Sequence, residues 1–138
     1  MGARFKLIRE LPLKPLTDTE LRRVVKQLGV PNFRGVFMRD QLVGKRPRAE
    51  ECAIVNLDAS NGPGTHWVAY SKCHSRSLYY DSFGDIPPPR EVQRYLESGG
   101  SMIEYNFFPE QSYDTVVCGH LCLKFLIKAT RLWKSLSE

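Results

Sequence analysis

From Val116 onward, Leu121, Cys122, Phe125, Leu126, Ala129, Leu132 and Trp133 recur at helical spacing, which predicts a long, mostly buried helix closing the chain. A stripe that wide has to be packed by other elements, and three runs before it supply them. Residues 52–57 (CAIVNL), 66–71 (HWVAYS) and 78–82 (LYYDS) are rich in β-branched and aromatic side chains. They are bounded by SNGPG and SKCHSRS, which suits adjacent antiparallel strands.

The remaining punctuation is consistent with this. Thr17 can cap the free N–H groups of a helix while Glu20 reaches back three residues on, and Leu21, Val24, Val25 and Leu28 give that helix an apolar stripe. Gly29 and Pro31 end it. Residues 1–16, which mix basic and apolar residues with Pro12 and Pro15, read as an extended N-terminal arm, and residues 30–50 as a long connection. After the turn-rich SFGDIPPPR, residues 90–96 form a short helix ended by Gly99 and Gly100, and residues 103–107 (IEYNF) a fourth strand. The order is helix, strands, helix, strand, helix. We read it as a single α+β domain over residues 1–138, a small, mostly antiparallel sheet packed against the final helix.

Composition excludes several classes. With 42% hydrophobic and 25% charged residues the chain is neither disordered nor membrane-spanning, and it has no apolar run of the roughly 18 residues a span needs. The opening segment lacks the pattern of a secretion signal, so an intracellular protein with free thiols at Cys52, Cys73, Cys118 and Cys122 is expected. No metal is expected either, because there is no C-x-x-C pair and the neighbours Cys73 and His74 do not easily share one ion. A net charge of +5 favours acidic partners, and Lys45, Arg46 and Arg48 in GKRPRAEE form the candidate nucleic-acid contact.

Cys118 falls where the loop FPEQSYDTVV meets the final helix, so a thiolate there would face the positive end of the helix dipole and unpaired N–H groups. Gly119 beside it removes a side chain from the path of a substrate backbone. Cys122, one turn later on the apolar stripe, reads as a core thiol. A cysteine nucleophile needs a base and a group that orients the base. His66 opens a strand after a flexible loop and Asp81 ends the next strand, so strand pairing could bring the two together. His74 sits in a polar turn, and His120 is too close to Cys118 on the same helix to face it. The backbone N–H of Cys118 and the side-chain amide of Gln111 are candidate oxyanion donors.

At these places the sequence resembles the adenovirus-type cysteine endopeptidases, the clan that includes the SUMO-specific proteases. The matching strings are CAIVN at 52–56, Gly-x-His-Trp at 64–67, Phe83-Gly84 shortly after an acid, and Gln111 with Cys118-Gly119; LGVPNFRGVF at 28–37 is similar to the family's early segment. The resemblance covers residues 17–130 with His, acid, Gln and Cys in the family's order. It implies an adenain-like fold with His66 as base, Asp81 orienting it, Gln111 in the oxyanion hole and Cys118 as nucleophile. Trp67, Gly119 and Gly64 then belong to the substrate-binding surface.

The resemblance further implies a thiol protease that needs no cofactor, cleaves Gly-Gly or Gly-x-Gly sites in viral or virus-like structural precursors, and works in a host nucleus or virion. It allows activation by DNA. It gives no support to a disulfide-tethered activating peptide, because no Cys lies between Cys73 and Cys118 to receive one. The rival readings are an isopeptidase removing a ubiquitin-like modifier, and a catalytically dead module that binds DNA or capsid.

Overall fold

The computed structural model describes residues 2–62, 66–106, 110 and 116–137. Its centre is the pair of strands β2 (Glu50–Asn56) and β3 (Trp67–Cys73). Alternate residues of each face opposite layers: Cys52, Ile54, Trp67 and Ala69 join one core, while Ala53, Val55, Val68 and Tyr70 join the other. Burial on both faces explains why these strands read as continuous apolar runs rather than as an alternation. The first core is covered by α1 (Gly2–Arg9), α2 (Asp18–Leu28) and α4 (Cys118–Ser137). The second is covered by a 3-10 helix at Arg39–Leu42 and by α3 (Arg90–Ser98).

The sheet has five strands, β1 (Phe33–Met38), β2, β3, β4 (Arg76–Tyr80) and β5 (Met102–Tyr105), ordered in space as in sequence. The inner pairs β2–β3 and β3–β4 are antiparallel, as expected. The outer pairs β1–β2 and β4–β5 are parallel, so the expected α+β sheet, antiparallel through its centre, carries a parallel strand at each edge. Parallel neighbours require a crossover, which α3 provides between β4 and β5.

Helix α2 forms as its sequence dictates. Thr17 accepts the Glu20 N–H at 3.1 Å, Glu20 accepts the Thr17 N–H at 3.0 Å, and Gly29 closes the helix in the left-handed conformation (φ 67°). Its buried Leu21, Val24, Val25 and Leu28 each contribute about 1.5–3 kcal/mol of apolar burial.

Three expectations are corrected. Residues 2–9, read as part of an extended arm, form α1, with Ile8 buried in the first core. The supposed connection over residues 30–50 contains β1, which is hard to see in sequence because Gly35 (φ 151°) shifts its register against β2. The buried face of α4 is also rotated from the expected stripe: Leu123 and Ile127 are inside, whereas Leu132 is 37% exposed. No helix among the described residues is long and apolar enough to cross a membrane.

Candidate active site

Pairing of β3 with β4 brings the end of β4 beside the start of β3, and there the His66 Nε2 lies 2.9 Å from Asp81 Oδ1. Both are buried, His66 8% and Asp81 1% exposed. The carboxylate is fixed in turn: Oδ1 also accepts the Phe83 N–H at 3.0 Å, while the Asn106 side chain accepts the Asp81 N–H (2.9 Å) and donates to the Asp81 carbonyl (2.7 Å). Phe83 stacks on the imidazole, ring centroids 4.4 Å apart and planes 9° from parallel, which fixes the ring's tilt.

With Nε2 held by Asp81, Nδ1 is the ring nitrogen left for the thiol of Cys118, whose ionisation the imidazole favours. Cys118 opens α4, with Leu121 N–H bonding to Val117 O in the first turn. Burial alone would push the Cys118 thiol up. The His66 hydrogen bond, the backbone N–H groups of Trp67 and Gly119 and the nearby imidazolium outweigh it and hold the thiol below its ordinary range. Burial likewise opposes charge on His66, but Asp81 and Cys118 raise it to about 9. Both shifts favour a thiolate–imidazolium pair at neutral pH.

These directions fix a pH profile. With Cys118 as nucleophile and His66 as base, a thiol below its ordinary value would set the acid limb of kcat/KM, and loss of the imidazolium proton an alkaline limb near pH 9. Asp81→Asn removes an influence that raises His66, so the alkaline limb should move to lower pH, with a rate loss roughly a hundredfold smaller than loss of the nucleophile. A kcat/KM profile measured between pH 5 and 10 checks this; an unmoved alkaline limb would contradict the role given to Asp81.

Trp67 packs in the core beside Cys118 and donates its indole N–H to Leu16 O at 2.8 Å. Segment 15–17 thereby becomes a wall of a cavity of about 500 Å³ that Cys118, Trp67, Met38 and Asn56 also line. Leu16 gave no signal in sequence, since its role depends on an indole 51 residues away. Phe83 and Asn106 were equally silent as supports of His66 and Asp81. Gly119 is placed differently from expectation. It is buried, and a Cβ there would come within 3.3–3.4 Å of Leu16 and Leu21, so its smallness admits the N-terminal segment and α2 rather than a substrate backbone.

Gly64 and Gln111 lie outside the described residues. Lys45, Arg46 and Arg48 are exposed. Lys45 and Arg46 line a groove of about 820 Å³ with Arg90 and Arg94 of α3. Cys122 is a core thiol as expected, pushed well up by complete burial. His120 does not meet Cys118; its Nε2 lies 2.8 Å from Pro12 O, a second tie on the N-terminal segment.

No family model matches the chain. Over 70 residues it is 36% identical to the protease of porcine adenovirus A serotype 3, a stretch that covers 49% of this chain and 34% of that protein. The ASFV pS273R protease superposes with a TM-score of 0.61 at 16% identity, covering 86% of this chain and 58% of that one. The chain shares its fold with that protease and with the SUMO protease Ulp1. The SUMO protease Ulp1, with its catalytic cysteine oxidised to a sulfinic acid, superposes at 0.60 and 15% identity over 94% of this chain and 71% of that one. The chain spans about a third of the adenoviral protease it matches.

Proposed function

We propose that this chain is a cysteine endopeptidase in which Cys118 is the nucleophile, His66 the base, Asp81 the orienting carboxylate and Gln111 an oxyanion donor. The observation that carries the reading is the buried chain of contacts from Asp81 through His66 to Cys118 at the amino end of α4.

In this mechanism the Cys118 proton moves to His66 and the thiolate forms a bond to the scissile carbonyl carbon. The resulting oxyanion sits by the Cys118 N–H, unpaired within the helix as the first-turn amides of helices are, and by the Gln111 amide. The C–N bond then breaks as His66 returns its proton to the leaving amine. Water, deprotonated by His66, hydrolyses the thioester and frees the sulfur. Gln111→Ala should lower kcat by roughly two to three orders of magnitude. Full activity in that variant would remove Gln111 from the site.

The proposed substrates are Gly-Gly or Gly-x-Gly sites in viral or virus-like structural precursors. Cys118 is 9% exposed and flanked by Trp67 and Leu16, so a chain without side chains at the scissile bond reaches it most easily. Cleavage of a Leu-x-Gly-Gly peptide, absent in Cys118→Ala, tests this. The likeness to Ulp1 supports a second reading, release of a ubiquitin-like modifier; rates on a SUMO tail fusion against a precursor peptide separate the two. Activation by DNA through Lys45, Arg46 and Arg48 is part of the first reading, and the groove that Lys45 and Arg46 share with Arg90 and Arg94 supports it. Stimulation by a short duplex that fades as salt rises is the expected result.

A further inference from the structure

At the opposite end of α4 from Cys118, the β3–β4 hairpin gathers Glu50, Cys73 and His74. Glu50 and Cys73 are direct cross-strand partners in the antiparallel β2–β3 pair, so their side chains emerge on the same face of the sheet. Adjacent residues of a strand normally point to opposite faces, which would send His74 away from Cys73. His74 leaves the strand in the left-handed region (φ 54°), with its N–H bonded to Ala49 O at 2.7 Å, and the alternation is broken. The carboxylate, sulfur and imidazole donors consequently all lie within 4.8 Å of one another.

We propose that Glu50, Cys73 and His74 form a binding site for a divalent ion of the zinc class. Carboxylate oxygen, thiolate and imidazole nitrogen are the donors zinc takes, and a tetrahedral ion with Zn–S of about 2.3 Å and Zn–N and Zn–O of about 2.0 Å needs only small movements of these accessible side chains. Water fills the fourth position. The Cys73 thiol, which faces Glu50 Oε1 at 4.0 Å, gives up its proton to solvent as the ion binds.

The neighbouring cations do not compete for the donors. Lys72 is buried with its ammonium on Ala49 O at 3.3 Å, and Arg76 is engaged with Glu104 and the Trp133 ring. Bound metal would tie the start of β2 to the β3–β4 hairpin. Fifteen residues of α4 separate Cys118 from Trp133, which lines the same recess, so the site stands about 20 Å from the candidate nucleophile at 1.5 Å per residue.

Cobalt(II) is the probe, used in the Cys118→Ala background so that the thiol beside His66 does not contribute. Of the three thiols left, Cys52 and Cys122 are buried and Cys73 is not. The expected result is a thiolate-to-cobalt charge-transfer band that is lost on adding Cys73→Ser, with an apparent Kd raised at least about tenfold by His74→Ala or Glu50→Gln. Zinc should raise the Tm of the Cys118→Ala protein and leave that of Cys118→Ala/Cys73→Ser unchanged. A band that persists without Cys73, no band at all, or equal thermal shifts in the two proteins would overturn the proposal. Serine is nearly isosteric at this half-exposed position, and the His74 and Glu50 variants report independently of it.

Discussion

Cys118→Ala should leave no turnover above background while the thermal midpoint stays where it was. In the proposed mechanism the sulfur is the atom that bonds to substrate, and triad members act as a unit, so the loss in kcat should be about a millionfold, with His66→Ala close behind. The fold should survive because alanine keeps the helix start and removes one 9%-exposed sulfur from the edge of the core. Turnover of a Gly-Gly fluorogenic peptide, read beside a melting curve, is the measurement. Iodoacetamide labelling at neutral pH adds a control, since Cys118 should react and the buried Cys122 should not. Residual activity above roughly a hundredth of the parent would mean that another group attacks the amide.

The second large effect concerns stability. Glu51 is 1% exposed and carries a whole network: Arg34 Nη1 at 3.1 Å, the Arg48 N–H at 2.6 Å, the Tyr70 hydroxyl at 2.5 Å and the Tyr95 hydroxyl at 2.8 Å. The Tyr95 hydroxyl also accepts from Arg34 Nη1 at 2.7 Å. The carboxylate thus holds the loop over residues 43–49 and α3 against the second face of the sheet. Glu51→Ala strands these donors in a buried place, and losing one partner of such a pair costs about 3–5 kcal/mol. Urea unfolding should show a correspondingly lower midpoint. Glu51→Gln keeps an acceptor and should cost less. A loss under about 1 kcal/mol for the alanine variant would mean that water or rearranged side chains satisfy the donors.

Elements whose signals are local were the legible ones. Thr17, Glu20 and Gly29 specify α2 by themselves, and the apolar runs of β2 and β3 are continuous because both faces are covered. Strand β1 was hidden because its continuity rests on pairing with β2 across the shift at Gly35, and α1 because GARFKLIR has no acid in its first turn to mark a start. The phase of α4 was misjudged for a related reason: Leu121 and Phe125 are apolar yet sit at the flank, where Phe125 stacks on Tyr80 at 5.0 Å. At the candidate site, His66, Asp81 and Cys118 could be named from residue type and order. Leu16, Phe83 and Asn106 could not, because a backbone carbonyl, a ring face and an amide acquire meaning only once distant segments meet.

His66 and Asp81 sit on one hairpin, fifteen positions apart, whereas the Cys118 sulfur comes from a separate helix further along the chain. During synthesis the imidazole and its acid can be assembled while the thiol has yet to leave the ribosome. Under the proposed mechanism a nascent or truncated molecule lacking α4 would carry no nucleophile, and competence would arrive only when that helix docks.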